Sequence, residues 1–139
     1  MGVNTGLKNT SGCYNTFLGF TAGSTSTTGC CNTFVGRGAG GGNLTGNSNV
    51  SLGMCSGPQG TNASGCHNFT GGYKSGNSIT SSSRNVIIGC GAGTCLNDGS
   101  GGNTFIGDQA GHEMGSCNCS TNTGNVFLGQ SAGKHVVNS

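Results

Sequence analysis

Thiols are the side chains in this chain with the most chemistry to offer. Nine cysteines stand at 13, 30, 31, 55, 66, 90, 95, 117 and 119 of 139 residues. That density is high for a small chain and points to an oxidising compartment and disulfides. Cys30-Cys31, Cys66-His67 and Cys117-Asn118-Cys119 lack the paired Cys-x2-Cys spacing of structural zinc, so no metal and no cofactor is expected. Acid–base chemistry has few carriers. Three acids (Asp98, Asp108, Glu113) and three histidines, among them His67 and His112, are scattered singly. No Ser-His-Asp or Cys-His arrangement can be traced, and no pair of carboxylates is set up for glycoside cleavage. The chain reads as a non-enzyme. Gly36-Arg-Gly-Ala-Gly40 and Gly89-Cys-Gly-Ala-Gly93 resemble nucleotide-binding loops, but no helix-forming segment follows either. Acceptor motifs for N-glycosylation place Asn9, Asn43, Asn62 and Asn118 in expected loops. The motifs at Asn49 and Asn68 fall where burial is expected.

Composition narrows the elements that could hold these groups. Gly (31), Asn (17) and Ser plus Thr (33) fill most of the chain, with one Pro and no Trp. Glycine-rich segments make poor helices. Collagen would need Gly at every third place and abundant Pro. A formal net charge of +2 offers no basic patch for nucleic acid, and no apolar run is long enough for membrane insertion. The N-terminus has no apolar leader segment, which predicts either a removed leader or export by another route.

The order of residues carries a stronger signal. A nine-residue phrase recurs seven times: Asn, three mostly β-forming residues, Gly, two variable residues, Ala or Ser, Gly. It starts at Asn15, Asn32, Asn49, Asn68, Asn85, Asn103 and Asn125. The intervals of 17 to 22 residues are too short for a strand–helix–strand unit and suit one coil of a solenoid. The spacing predicts an all-β fold: a parallel β-solenoid, or β-roll, of about seven coils of 17–22 residues. Residues 1–14 are a flank or partial coil, 15–133 the repeat domain and 134–139 a C-terminal flank. The phrase-initial asparagines are expected to stack as an amide ladder.

Strand side chains alternate between faces. The first and third strand positions, from Thr16/Leu18 to Val126/Leu128, are assigned to the interior. The second position then points outward and makes an apolar stripe of Phe17, Phe34, Ile87, Phe105 and Phe127. Soluble monomers avoid such stripes, so this one is expected to be an oligomer interface. Cys13 and Cys30 each lie two residues before a phrase, and Cys95 and Cys117 each eight residues before one. Successive coils would bring each pair within disulfide reach, with Cys31 and Cys119 as alternates.

The phrase resembles the head repeats of trimeric autotransporter adhesins. It is equally similar to the Asn-Thr-x-Ile-Gly-x-x-Ala-Gly repeats of phage and viral tail fibres. The resemblance runs from residue 15 to 133. It implies three chains packed around a three-fold axis, with the longer period here spent on outer loops. The expected function is therefore a structural fibre or filament subunit, extracellular or on a virion surface. Its partners would be copies of itself, with adhesion to a surface glycan or receptor through the variable loops. With phrases running almost to both termini, end-to-end stacking is expected. An ice-binding solenoid, suggested by Thr25, Thr27 and Thr28, and a carbohydrate-cleaving tail fibre are the alternatives.

Overall fold

The computed structural model describes residues 2–96, 99–113 and 123–134. Each phrase contributes one three-residue strand: β1 Thr16–Leu18, β2 Thr33–Val35, β3 Val50–Leu52, β4 Phe69–Gly71, β5 Val86–Ile88, β6 Thr104–Ile106 and β7 Val126–Leu128. The seven pair in sequence order, all parallel, in a single sheet. Phrase lies on phrase in strict register, as Thr16 on Thr33 and Phe105 on Phe127 show. The chain is an all-β solenoid of about five turns. The count from the phrases was seven coils, but the connections from β5 to β6 and from β6 to β7 include undescribed residues. Residues 3–10 lie along the first rung and bond to it, through Thr21 N–H to Val3 C=O and Gly6 N–H to Ala22 C=O, both 2.9 Å, and Thr10 N–H to Thr27 C=O at 3.0 Å.

The rungs are joined by amide side chains as well as by backbone. Asn32, Asn49, Asn68, Asn85 and Asn103 are buried. The Oδ1 of each phrase-initial asparagine accepts the backbone N–H of the next one, at 2.9–3.1 Å from Asn15 to Asn125. The Nδ2 groups of Asn15, Asn32, Asn49 and Asn68 donate to the carbonyls of Gly29, Gly46, Gly65 and Ser82 at 2.7–2.8 Å. From Asn68 to Asn125, Nδ2 also reaches the Oδ1 of the preceding rung, at 3.0–3.2 Å. Asparagine suits this position because one short side chain both donates and accepts.

The interior reverses the assignment of strand faces. The second strand position points inward: Phe34, Ile87 and Phe105 are wholly buried, with Ser51 and Thr70 beside them in the same column. The first and third positions, expected inside, face solvent or are only half-covered. Thr16 and Leu18, Val86 and Ile88, and Val126 and Leu128 are all exposed. Small residues explain the reversal. Ala22, Ala39, Ala92 and Ala110 are buried, and the glycine after each lies against an inward ring or alkyl chain. A Cβ on Gly40 would stand 2.5 Å from the Phe34 ring, and one on Gly111 would stand 2.9 Å from Phe105. The Ala-Gly corner is thus the floor on which the second-position side chain rests.

Two hydrophobic clusters result. Phe17 and Phe34 stack at 5.2 Å between ring centroids over Ala22 and Ala39. Phe105 and Phe127 stack at 5.3 Å in a larger cluster with Ile79, Ile87, Ala92 and Leu96. Between them, the third and fourth rungs carry hydroxyls. Thr70 donates to Ser51 at 3.0 Å, while Ser56 contacts Thr70 at 2.9 Å and Ser75 at 3.1 Å. A hydroxyl network satisfied within itself can replace apolar packing at modest cost.

Gly36 shows why the fifth phrase position admits nothing larger. Its φ of 132° is closed to L side chains, and a Cβ would meet the Gly53 carbonyl oxygen of the next rung at 2.5 Å. Gly40 combines a left-handed φ of 58° with the Phe34 contact. Gly40→Ala should destabilise the fold by roughly 3 kcal/mol, from strain plus overpacking. Gly60→Ala, where a Cβ meets nothing within 4 Å, should change stability little. Asn85→Ala removes the acceptor for the buried Asn103 N–H and should cost about 2–4 kcal/mol. Denaturant melts of the three variants against the parent check all of this.

Candidate functional site: the exposed sheet face and the thiol column

The reversal of faces moves the expected interface. Phe34, Ile87 and Phe105 are at 0% exposure within one chain and cannot meet a partner. Phe17 and Phe127, at the two ends of the column, are half-buried beneath their stacked neighbours. The five residues assigned to the oligomer interface are therefore core. The sequence held a sign of this in pairs. Where the second strand position is Phe or Ile, the eighth phrase position is Ala (17/22, 34/39, 87/92, 105/110, 127/132). Where the second position is Ser or Thr, the eighth is Ser (51/56, 70/75). The two positions change together because they touch inside the coil.

The opposite face takes the stripe's place. Its central column is Leu18, Val35, Leu52, Gly71, Ile88, Ile106 and Leu128, one residue per rung. Beside it run Thr16, Thr33, Val50, Phe69, Val86, Thr104 and Val126. Leu18 is 50% exposed, Leu52, Ile88 and Ile106 are each 38%, and Leu128 is 65%. Phe20, Met54 and Tyr73 are exposed just past the strands, where Arg37 lies 5.9 Å from the Phe20 ring centroid. Seven rungs at the usual strand spacing make this flat apolar surface about 29 Å long. Parallel sheets normally have both faces covered.

A second column stands two residues before the phrases, and before the first five it carries Cys13, Cys30, Asn47, Cys66 and Ser83. From Cys30 to Ser83, each side chain accepts the backbone N–H of the rung before. Cys13 N–H bonds Cys30 Sγ at 3.1 Å, Cys30 N–H bonds Asn47 Oδ1 at 2.7 Å, Asn47 N–H bonds Cys66 Sγ at 3.3 Å and Cys66 N–H bonds Ser83 Oγ at 2.9 Å. Cys13 and Cys30 are brought together, sulfur to sulfur, at 2.7 Å as thiols. Cys31 is exposed in the adjoining column. Cys95 is half-buried, and its expected partner Cys117, with the alternate Cys119, lies outside the described residues.

The remaining candidates fall apart or become structural. Asn43 is buried at 0% exposure and donates Nδ2–H to Gly46 C=O at 3.0 Å, so it is no glycan acceptor in the fold, contrary to its assignment to a loop. Asn9 and Asn62 are exposed, and Asn118 lies outside the described residues. In the Gly36–Gly40 corner, the N–H groups of Gly36, Gly38 and Gly40 donate to Leu18, Phe20 and Ser56, each at 2.8 Å. They are not free to cradle phosphate. Thr25 and Thr27 direct their hydroxyls to the carbonyls of Gly41 at 2.5 Å and Leu44 at 3.0 Å instead of forming an outward rank. His112 Nδ1 lies 3.8 Å from its neighbour Glu113 on the sixth rung, whereas His67 precedes β4. Among the described residues no group of three His, Cys, Asp or Glu side chains could hold a metal. A groove of about 550 Å³ opens beside Arg84, lined by Ser81, Ser83 and Thr123 where Gly101 and Gly102 carry no side chains. No described helix is long and apolar enough to cross a membrane. No family model, curated protein or solved structure matches the chain.

Proposed function

We propose that the chain is a structural segment of an extracellular or virion-surface fibre, built by packing against copies of itself, with a trimer as the favoured unit. The observation that carries this reading is the apolar outer sheet face, centred on Leu52, Ile88 and Ile106. Burying such a surface gains roughly 25 cal/mol per Å² of apolar area. A second copy is the natural cover, because seven repeats of one side-chain pattern are matched best by another seven at the same spacing. The ends of the rod favour further growth. Among the described strands β1 and β7 each have one neighbour. They are the two ends of one parallel ladder, so the donors and acceptors of one edge complement those of the other.

This reading assigns the chain no catalytic role. Adhesion to a glycan or receptor would fall to the loops between phrases, among which the groove beside Arg84 offers hydroxyls and one guanidinium. Light scattering after size exclusion should return a multiple of the 13.6 kDa chain mass, and negative-stain images should show rods or filaments. The triple change Leu52→Lys, Ile88→Lys, Ile106→Lys should release monomers while leaving the circular dichroism spectrum intact, since those side chains point away from the core. A parent protein monomeric at high micromolar concentration would end this proposal.

A further inference from the structure

Rungs one and two carry a reactive group that the fibre reading does not use. Cys13 and Cys30 stand three residues upstream of Thr16 and Thr33, which are direct partners in the sheet. Rungs about 4.8 Å apart fall inside the Cα separation that a disulfide tolerates. The two sulfurs lie 2.7 Å apart and unbonded. Cys13 is exposed and Cys30 half-buried, so the pair is reachable from solvent. Cys66 shares the column, but Asn47 stands between it and Cys30.

The pair is asymmetric. Cys30 Sγ accepts from both the thiol and the backbone N–H of Cys13. We propose that Cys13 and Cys30 form a redox-active dithiol that closes on a disulfide oxidant, with Cys30 as the attacking thiolate and Cys13 as the resolving thiol, stapling the first rung to the second. The hydrogen bonds it receives, the one from the Cys13 thiol first, hold the Cys30 thiol below the ordinary range, while donating that bond raises Cys13. A lower thiol pKa means more thiolate, the nucleophilic form, at neutral pH.

The step balances with a low-molecular-weight disulfide such as oxidised glutathione. The Cys30 thiolate attacks one sulfur of the oxidant, forming a mixed disulfide and releasing one glutathione thiolate. Cys13, losing its proton to water, attacks Cys30 Sγ and expels the second glutathione. Two protein thiols are oxidised, one external disulfide is reduced to two thiols, and no other electron carrier is needed. The staple sits at the end of the ladder, where β1 has a neighbour on one side only among the described strands.

The test uses the full chain, reduced and freed of reductant, then exposed to oxidised glutathione and followed by mass spectrometry and thiol titration. The first product should lack two thiols and two hydrogens, carry no glutathione, and map to the segment between Lys8 and Arg37. Cys31→Ser should close in the same way. In that background, the first mixed disulfide trapped by rapid acid quench should sit on Cys30 and not on Cys13, and Cys13→Ser should accumulate one glutathione on Cys30. Serine is native to this column at Ser83, where it accepts the Cys66 N–H, so Cys13→Ser keeps the rung intact. The closed parent should melt several degrees above its reduced form. A first disulfide that uses another cysteine or joins two chains, or a Cys13→Ser variant modified elsewhere before Cys30, would overturn the assignment. Closure occurs within one chain, so the result is independent of whether the chain forms a fibre.

Discussion

The structure depends on one side chain repeated seven times. An asparagine at the start of each strand offers its carbonyl to the next rung's N–H and its amide to a neighbouring acceptor. Inside a solenoid that contact is shielded from water, so it is strong when made and costly when broken. It also leaves no freedom of register. A slip of one residue would bury a β-branched residue against an amide and leave several backbone N–H groups without partners. The parallel ladder of three-residue strands, too short to hold together alone, is kept in phase by this column.

With register settled, the rest of each rung is a problem of volume. A turn of about 17 residues takes one inward side chain from its strand, set on a floor of Ala-Gly or Ser-Gly, and the connections after β4 and β5 add Ile79 and Leu96 to the interior. Phe34 over Ala39 and Gly40 fills that space with carbon. In the third and fourth rungs Ser51, Ser56, Thr70 and Ser75 fill it with a closed set of hydroxyl bonds. This is why the fourth phrase looks degraded in the sequence yet keeps its strand. The rule that survives is complementarity between two positions, not the identity of either. Because only the second strand position points into the interior, the other side chains of the strand are left outside. That produces the apolar outer face on which the proposed self-assembly rests.

The period, the seven strands, their parallel order and the asparagine column were legible from residue types and spacing, because each follows from local chemistry repeated at an interval. Asn-Thr-Phe-Val-Gly can be read as strand then corner without any tertiary knowledge, since β-branched and aromatic residues favour extended backbone and Gly36 needs a φ open only to glycine. The approach of Cys13 to Cys30 followed from the same register.

Which strand face became the core was decided only in three dimensions. Both faces of β1 are apolar, so alternation identifies two sets and cannot rank them: Phe17 and Leu18 are equally good hydrophobes. The ranking comes from the corner four to six residues later, where Ala22 and Gly23 bend back beneath the second strand position and shelter Phe17. Asn43 illustrates the same limit. It reads as a loop asparagine in an acceptor motif, and only the closing of the turn takes it out of solvent. Local preference sets what each residue can form; enclosure by residues brought back by the turn sets which of them lose their water.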